Sequence, residues 1–503
     1  MSIHWPILRR LIASPTAVAA TDDVRTWKRV EVLIAAALLA DRLAETSRSR
    51  TVGALLPTGA FFPIAALASW MLGRVVTPLN YLLKPAELQY VVDDCGCDTI
   101  VAVQPMLDYL GAAPKGPSIL RLEDVNFRTM PEPRWPSLRG CFGSRDELAV
   151  LLYTSGTSGK PKGVMLSHEN ISANIRQCVE WAKFGERDVI LGVLPQFHSF
   201  GFTVLTMLPL TVGCRAVYAA KFVPANIIRL LRQHRPTAFI AIPSMYNALL
   251  SVKGAEPEDF ASLRYIVSGG EPLPRPVAAK FHERFGVRIC EGYGLTETSP
   301  VTNWCRPWEY RLGSVGQPMP RVIQRIVDPG TQRDLGPNQD GEVRIGGPQL
   351  MMGYFNLPQE TAAAFDERGH LRTGDMGRFD GDGRLSITGR IKEMLIIAGE
   401  NVFPREIEEA LDAHPAVAGS GVVGRPDPVR VEIPVAFVEL REGMTATEAE
   451  LRAFCRGKIA PYKTPSEVRI VPALPRSGTG KVLRRALKEI IEAEVKKEEA
   501  LPS

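Results

Sequence analysis

The chain has 503 residues, and its 60 Lys and Arg against 55 Asp and Glu leave a formal net charge of only +5. This near-neutral balance argues against a general nucleic-acid-binding protein, and a hydrophobic fraction of 45% excludes an intrinsically disordered chain. At roughly 150 residues per domain, the length predicts about three domains, or one large domain and a small one.

Eight cysteines are too few for a disulfide framework in a chain of this length. No Cys-x-x-Cys motif occurs, which argues against a zinc ribbon and against a thioredoxin-type site. Cys95 and Cys97 are close in sequence, but two thiols do not complete a metal site. We therefore predict reduced thiols in the core of a cytoplasmic protein.

The segment 52–73 contains 22 residues without a charge and is long enough to cross a bilayer. Pro57 and Pro63 interrupt it, and it divides into a strand at 51–56, a turn and a helix at 61–72. We favour this buried strand–helix unit over a transmembrane helix, and we leave weak peripheral association with a membrane open.

Short apolar strands continue to alternate with helices along the chain. Pro85 predicts the first turn of a helix at 85–94, and the Pro-rich segment 114–136 is predicted as a surface loop. Further strands are predicted at 74–77, 98–103, 148–153, 189–194, 215–218, 238–242, 265–268 and 287–290. Continuous apolar strands separated by helices are typical of parallel sheets that are covered on both faces.

The pattern changes at about residue 311, where Gly and Pro punctuate short alternating strands, and a small α+β unit follows residue 390. The elements of this unit are predicted at 404–413, 419–423, 435–440, 446–458 and 481–494. The fold class is therefore α/β, with a large N-terminal domain of doubly covered, mainly parallel sheets at 1–389. Its part at 311–389 is a β-rich subdomain, and 390–503 is a small α+β C-terminal domain.

A loop rich in Gly, Ser, Thr and Lys follows the apolar strand at 148–153. Its glycines allow a ligand to approach the backbone closely, and its hydroxyls and lysines supply donors and positive charge. The residues are Thr154, Ser155, Gly156, Thr157, Ser158, Gly159, Lys160 and Lys162. This composition favours polyphosphate binding, in front of an amphipathic helix for which Ser167 is the expected N-cap.

Two better-known loop motifs do not fit this segment. A Walker loop requires Gly where Thr154 stands, and a nucleophile elbow around Ser158 requires Gly where Lys160 stands. A flexible linker is also disfavoured, because linkers rarely follow a buried strand directly.

Two other polar loops end predicted strands, Gly269-Gly270-Glu271-Pro272 and Gly292-Tyr293-Gly294-Leu295-Thr296-Glu297. An aromatic face, hydroxyls and a carboxylate are suited to stack a base, hold a phosphate and bind Mg²⁺. Because ligands bind at the carboxyl ends of parallel strands, we expect these loops to belong to one site.

Four more motifs accompany these loops in the C-terminal half of the chain. They are Leu371-Arg372-Thr373-Gly374-Asp375, Gly389-Arg390-Ile391-Lys392-Glu393, Ala398-Gly399-Glu400-Asn401-Val402-Phe403-Pro404 and Pro475-Arg476-Ser477-Gly478-Thr479-Gly480-Lys481. In composition and order, the set resembles the adenylate-forming superfamily of acyl-CoA synthetases, stand-alone adenylation domains and luciferase-type enzymes. The resemblance extends from about residue 51 to residue 487.

The resemblance implies roles for the nucleotide-binding residues. The loop from Thr154 to Lys162 would hold the β- and γ-phosphates of ATP, and Thr296 would meet the α-phosphate. Glu297 and Thr154 would bind Mg²⁺, and Asp375 would bind the ribose hydroxyls with Arg390 nearby. The residues expected around adenine are Gly270, Glu271, Pro272 and Tyr293, and Gly294 is expected to be a further cofactor-binding residue.

The resemblance also implies a small domain that rotates between two half-reactions. Lys392 would be the hinge, and Lys481 would reach the acyl carboxylate and the α-phosphate during adenylation. Gly399 would line the tunnel for coenzyme A during thioester formation. Ser158 and Ala398 depart from the family's usual Thr and Gly, and Ala398 weakens the tunnel assignment slightly.

The motif around His198 resembles the mouth of the family's acyl pocket. A lone His is more often structural, but this one follows a strand, opens a predicted helix and stands between Phe197 and Phe200. Gly292 and Gly294 are expected to leave room along the pocket wall. The spacing of His370 and Asp375 mimics an acyltransferase pair, but ribose binding explains Asp375 better.

These features predict an ATP-dependent acyl-CoA synthetase that uses Mg²⁺ and coenzyme A and acts on a medium- or long-chain fatty acid. The His198 motif has no acidic residue to bind an amino acid's ammonium group, which argues against an amino-acid-activating domain. Three alternatives stay open: an aryl-acid ligase, an enzyme that loads an acyl carrier protein, and an inactive nucleotide-binding scaffold. The oligomeric state is not predicted.

Overall fold

The computed structural model describes residues 2–127, 143–154, 160–397, 400–427, 429–476 and 482–499. The first elements alternate helices and strands. They are α1 (His4–Ala13), β1 (Val18–Thr21), β2 (Thr26–Lys28), α2 (Arg29–Thr46), β3 (Thr51–Leu55), α3 (Phe61–Met71), β4 (Val75–Pro78), α4 (Pro85–Cys95), β5 (Thr99–Ala102), α5 (Gln104–Leu110), β6 (Ser118–Arg121), β7 (Leu148–Thr154) and β8 (Lys162–Ser167).

The second half of the large domain repeats this alternation and then becomes β-rich. Its elements are α6 (His168–Ala182), β9 (Val189–Gly192), α7 (Leu208–Val212), β10 (Arg215–Tyr218), α8 (Pro224–His234), β11 (Ala238–Ala241), α9 (Pro243–Leu249), β12 (Tyr265–Ser268), α10 (Arg275–Phe285), β13 (Cys290–Gly294), β14 (Val301–Trp304), β15 (Ile323–Val327), β16 (Gly341–Gly346), β17 (Gly353–Tyr354), α11 (Pro358–Ala364), β18 (Leu371–Phe379) and β19 (Leu385–Arg390).

Two mainly parallel sheets form the large domain. Over the described residues the first has the order β14-β13-β12-β11-β9-β10-β1-β2, and its outer strands β2 and β14 pair antiparallel. The second has the order β17-β8-β7-β4-β3-β5-β6, and β8 and β17 pair antiparallel at one edge. A separate antiparallel sheet, β15-β16-β18-β19, forms the β-rich part.

Helices cover both faces of the parallel sheets, as the apolar strands predict. In β11, Phe239 and Ala241 pack against the layer of α8, α9 and α10, whereas Ala238 and Ile240 face the central core. This alternation follows from the two-residue period of a strand. The central core contains α2, α3 and α6 between the sheets, and α4 covers the outer face of the second sheet.

The apolar segment 52–73 is the buried strand–helix unit that the sequence favoured. Helix α3 is buried along nearly its whole length, from Phe62 to Met71, because it lies between the sheets. Within the described ranges, no helix has the length and apolar character that crossing a bilayer demands. The seven described cysteines are buried free thiols, as predicted, and Cys141 lies outside the described residues.

The C-terminal part is an α+β unit around an antiparallel hairpin. It contains β20 (Leu395–Ile397), β21 (Glu400–Val402), α12 (Pro404–Asp412), β22 (Val417–Asp427), β23 (Val431–Leu440), α13 (Glu448–Arg456), β24 (Glu467–Val471) and α14 (Arg484–Glu499). In the described residues β22 pairs with β23, and β24 adds to β23 in parallel. The domain boundary at residues 389 and 390 stays a prediction.

Several local expectations were wrong or incomplete. The N-terminal elements α1 to α2 were not predicted, and β6 lies inside the segment that was predicted as a loop. The strand predicted at 287–290 is displaced to Cys290–Gly294. Gly292 and Gly294 disfavour strand structure locally, and pairing with β14 overrides that preference.

A buried histidine at the start of α6 links the stability of the large domain to pH. His168 is 6% exposed, and its ring lies 5.6 Å from the ring of His4 and 5.7 Å from that of Trp70. Burial is the main cause that lowers the pKa of His168 to about 3, and the nearby His4 adds to it. The folded protein therefore strongly favours the neutral imidazole.

We expect the His168 contribution to be fully present above the unfolded-state pKa of about 6.5 and to decrease as the pH falls towards 3. Lowering the pH from 6.5 to 5 should therefore reduce the free energy of unfolding by roughly 1.5 kcal/mol through this histidine. Urea unfolding at the two pH values should show a smaller pH dependence in His168→Gln. The exposed His282→Gln variant should keep the wild-type dependence, and an unchanged slope in His168→Gln would contradict the assignment.

Candidate active site

Three side chains predicted to bind nucleotide meet at the buried carboxylate of Asp375. Asp375 lies on β18 and is only 3% exposed. Tyr293 Oη donates a hydrogen bond of 2.8 Å to Asp375 Oδ2, and Arg390 Nε lies 2.8 Å from Asp375 Oδ1. Since Asp375 and Arg390 are opposite each other in the β18–β19 ladder, strand register produces the ion pair.

Burial and the neighbouring Arg390 act in opposite directions on the Asp375 carboxyl group, which keeps spare acceptor capacity. Burial raises the pKa of Asp375, and the Arg390 guanidinium opposes that rise. Burial and the Asp375 charge raise the pKa of Tyr293 far above its usual range, so its hydroxyl remains a donor. A carboxylate has about four acceptor positions, and the two contacts leave others to accept hydrogen bonds from a diol such as ribose.

The Gly270 loop follows β12, and Tyr293 lies near the end of the neighbouring strand β13. β12 and β13 are parallel, with Ser268 opposite Glu291, so the residues that follow them lie at one edge. Gly270 has a φ of +81°, a conformation that glycine adopts without strain. In this loop Glu271 is half-buried and Pro272 is exposed.

The phosphate-binding candidate is the connection of a β-hairpin. Thr154, the last residue of β7, is opposite Lys162, the first residue of β8. The amphipathic helix α6 begins only after β8, at His168, and Ser167 caps it by accepting a hydrogen bond from Asn170 N. The expected Ser167 cap is confirmed, but the loop leads into a strand before it reaches the helix.

The two lysines of the hairpin lie over aromatic rings. Lys160 Nζ is 5.4 Å from the ring centroid of Tyr90, and Lys162 Nζ is 5.2 Å from that of Tyr354. Lys162 also forms an ion pair with Glu360 on α11. Both ammonium groups are therefore held at the base of the predicted phosphate loop.

Thr296 and Glu297 form a short 3₁₀ turn, Thr296–Thr298, directly after the β13 loop. Thr296 Oγ1 lies 3.0 Å from Ser199 Oγ in a buried contact. Glu297 Oε1 accepts a hydrogen bond of 2.9 Å from Tyr354 Oη. Tyr354 therefore connects Glu297 with Lys162 of the β7–β8 hairpin.

The donor set is compatible with Mg²⁺ that is shared with a polyphosphate. Among the described residues, no group of three or more His, Cys, Asp or Glu side chains could hold a metal ion by itself. Mg²⁺ is commonly held by one or two carboxylates together with substrate phosphates and water. Glu297, with one oxygen engaged by Tyr354, fits that mode, and Thr154 stays a predicted partner.

His198 is exposed, and its flanking phenylalanines have different environments. Phe197 is buried and packs edge-on against Tyr81, with ring centroids 4.8 Å apart. The Phe200 ring covers Gly269, where a Cβ atom would lie only 2.9 Å from the ring. Phe200 therefore reaches the β12 edge of the site, while Phe197 belongs to the core.

Lys392 lies between contacts to the two parts of the chain. It is exposed in the turn Ile391–Glu393, which joins β19 to β20. Arg390 precedes it and pairs with Asp375 of the large domain. Glu393 follows it and lies 2.8 Å from Arg484 Nη1 at the start of α14. This arrangement is compatible with the predicted hinge.

Some predicted residues cannot be located. They lie outside the described residues and are Ser155, Gly156, Thr157, Ser158, Gly159, Ala398, Gly399 and Lys481. In the His370 and Asp375 spacing that mimics an acyltransferase pair, the histidine has a structural role. His370 Nδ1 accepts a hydrogen bond of 3.0 Å from Arg325 Nε.

Sequence reasoning missed Tyr354 and Glu360. Tyr354 belongs to a strand of only two residues, β17, which is too short to produce an alternating pattern. The helix start at Pro358 was the available signal for Glu360, because it places that residue in the first turn of α11.

The expectation that Gly294 leaves room along a pocket wall was wrong. A Cβ atom at Gly294 would lie 1.8 Å from the carbonyl oxygen of Pro300, so the space is filled by backbone. Gly292 differs, since its closest contact would be 3.5 Å from Asn303 O, an ordinary distance. The glycine at 294 allows the close approach of β14.

Family comparisons agree with this arrangement of motifs. The family described as AMP-binding enzyme matches residues 9–355, and the AMP-binding enzyme C-terminal domain matches residues 406–481. The long-chain-fatty-acid–CoA ligase of Bacillus subtilis (strain 168) is 41% identical over 347 residues. That alignment covers 68% of this chain and 62% of the relative, which is less than two thirds of the relative's length.

Two further proteins match over nearly the whole chain. 4-Coumarate–CoA ligase 1 of Oryza sativa subsp. japonica is 32% identical over 514 residues, covering 96% of this chain and 90% of that protein. The solved structure of o-succinylbenzoate coenzyme A synthetase of Bacillus subtilis, in complex with ATP and magnesium ion, superposes with a TM-score of 0.85 at 28% identity. It covers 96% of this chain and 99% of that chain.

The two glycines of the β13 loop give a direct test of the packing. Gly294→Ala should lower the free energy of unfolding by about 1–3 kcal/mol, because the added methyl group must push the β14 backbone away. Gly292→Ala is the matched control and should cost much less. Urea unfolding of both variants measures the difference, and equal stability would refute the close approach at Gly294.

Proposed function

Since the chain belongs to the AMP-binding enzyme family and is an ATP-dependent acid–thiol ligase, we propose that it joins a medium- or long-chain fatty acid to coenzyme A. The reaction would proceed through an acyl-AMP intermediate and release pyrophosphate and AMP. The single observation that carries the site assignment is the contact of the buried Asp375 with Tyr293 and Arg390, near the ends of β13 and β19.

In the first half-reaction, a carboxylate oxygen attacks the α-phosphorus of ATP and the bond to pyrophosphate breaks. Asp375 would hold the ribose hydroxyls, and Thr296 would contact the α-phosphate. Lys160 and Lys162 would bind the departing phosphates, for which their places at the base of the hairpin are suited. Glu297 and Thr154 would hold Mg²⁺, which supplies charge neutralisation where negative charge gathers.

In the second half-reaction, the thiol of coenzyme A displaces AMP from the acyl carbon. One arrangement of groups cannot suit both steps, so we propose that the small domain rotates about Lys392. The contacts of Arg390 and Glu393 on either side of Lys392 support this hinge. Lys481 would act in the first step and Gly399 would line the coenzyme A path in the second.

The fatty-acid substrate is supported by the identity of 41% to a long-chain-fatty-acid–CoA ligase and by the apolar Phe200 beside the site. A specific observation favours a second candidate, an aryl acid. The rice 4-coumarate–CoA ligase aligns with 96% of this chain, against 68% for the fatty-acid ligase. An acyl carrier protein in place of coenzyme A is the remaining alternative for the acceptor.

The role of Lys481 is tested by separating the half-reactions. Lys481→Ala should reduce acyl-AMP formation by several orders of magnitude, about 4 kcal/mol or more, because its charge stabilises the transition state of adenylation. Thioester formation from supplied acyl-AMP should be much less affected. The exposed Lys488→Ala is the control and should leave both steps unchanged.

Equal losses in both steps would refute the assignment of Lys481 to adenylation. If the wild-type protein forms no acyl-AMP with any acid, the inactive nucleotide-binding scaffold becomes the better description. Release of pyrophosphate, measured with and without coenzyme A, separates these outcomes.

The substrate class is tested with a series of acids. For a fatty-acid enzyme, kcat/KM should rise with chain length by about fourfold per methylene, since each buried methylene contributes about 0.8 kcal/mol, until the pocket ends. Acetate should be a poor substrate throughout. Pyrophosphate release across aliphatic acids, benzoate and 4-coumarate gives the profile. A flat aliphatic series with rapid turnover of the aromatic acids would overturn the fatty-acid proposal and leave the adenylation chemistry intact.

A further inference from the structure

One tyrosine outside the predicted motifs contacts both the metal and the phosphate candidates. Tyr354 Oη donates its hydrogen bond to Glu297 Oε1 at 2.9 Å. The ring of the same side chain lies 5.2 Å from Lys162 Nζ. Glu297 and Lys162 come from different loops, so Tyr354 connects elements that the sequence does not place together.

The backbone around Tyr354 fixes its position relative to Lys162. β17 pairs with β8, and Tyr354 is opposite Val164, only two residues after Lys162. Phe355 N donates to Gly163 O at 2.7 Å, and this bond continues the pairing beside Lys162. Tyr354 therefore lies on the strand that pairs with the outer edge of the β7–β8 hairpin.

Helix α11 fixes the other side of Tyr354. Tyr354 N donates a hydrogen bond of 2.9 Å to Thr361 Oγ1, and the same hydroxyl donates to Leu357 O at 2.9 Å. Glu360, the neighbour of Thr361, forms the ion pair with Lys162. Lys162 is thus held between an aromatic face and a carboxylate, where its ammonium group is already ordered.

We propose that Tyr354 is a positioning residue for the adenylation half-reaction, with its hydroxyl orienting Glu297 and its ring seating Lys162. The inference rests on the proposed function, because the roles of Glu297 and Lys162 belong to it. The hydroxyl engages one oxygen of Glu297 and leaves the other for the metal. The ring holds the lysine where a departing pyrophosphate can replace Glu360 as its partner.

The two parts of the side chain can be tested separately. Tyr354→Phe keeps the ring and removes only the donor to Glu297. Its affinity for Mn²⁺ in the presence of ATP and without acid, measured by electron paramagnetic resonance, should fall about tenfold, as for other groups that orient a metal ligand. Its affinity for metal-free pyrophosphate, measured by calorimetry, should stay at the wild-type value. Tyr354→Leu should weaken the binding of both Mn²⁺ and pyrophosphate, because Lys162 also loses its contact with the aromatic ring.

Tyr109→Phe is the matched control, since Tyr109 is 62% exposed and lies on α5. It should leave both affinities unchanged. A Tyr354→Phe protein that binds Mn²⁺ like the wild type overturns the role of the hydroxyl. Equal pyrophosphate affinity in Tyr354→Leu and Tyr354→Phe overturns the role of the ring.

A half-reaction measurement distinguishes positioning from general damage. Tyr354→Phe should slow acyl-AMP formation and leave thioester formation from supplied acyl-AMP within twofold of the wild type. Equal losses in both steps would mean that Tyr354 is merely structural. Failure of the proposed function would look different, because the wild-type protein itself would then form no acyl-AMP. The Mn²⁺ affinities of the wild type and the variant could still be compared.

Discussion

Burial of the Asp375 carboxylate is the constraint on which the centre of this structure depends. An ionised carboxylate is stable away from water only when donors or a cation compensate it. Tyr293 comes from the first parallel sheet, and Asp375 and Arg390 come from neighbouring strands of the β-rich sheet. This polar contact therefore joins the first parallel sheet to the β-rich sheet.

The rest of the site follows from where strands end. The parallel strands β12 and β13 place the Gly270 loop and Tyr293 at the same edge of the first sheet. Antiparallel strands at the sheet margins supply the other groups. The hairpin of β7 and β8 flanks the predicted phosphate loop, and β17 adds Tyr354 to the same edge. Because edge strands have a free side, they can accept a short extra strand without disturbing the buried centre of the sheet.

At two glycines near the site, neighbouring backbone atoms leave no room for a side chain. At Gly294 the neighbouring β14 backbone occupies the place of a side chain. At Gly201, which begins a π-helical segment at Gly201–Met207, a Cβ atom would lie 2.1 Å from Pro195 O. Each glycine lies two residues from one partner of the Ser199–Thr296 contact, Gly201 from Ser199 and Gly294 from Thr296. Their absence of a side chain lets the loops come within hydrogen-bond distance.

The sequence by itself determined the doubly covered α/β architecture, the cap at Ser167 and the motifs that mark the family, because hydrophobic period, capping and loop composition are local properties. The tertiary structure alone decided that Asp375 meets Tyr293 and Arg390, that β8 separates the phosphate loop from α6, and that Gly294 faces backbone rather than open space. It also brought Tyr354 and Glu360 to Lys162. These contacts join residues that are far apart in the chain through strand register and the pairing of edge strands. Register and edge pairing leave no local pattern in the sequence from which the contacts could be predicted.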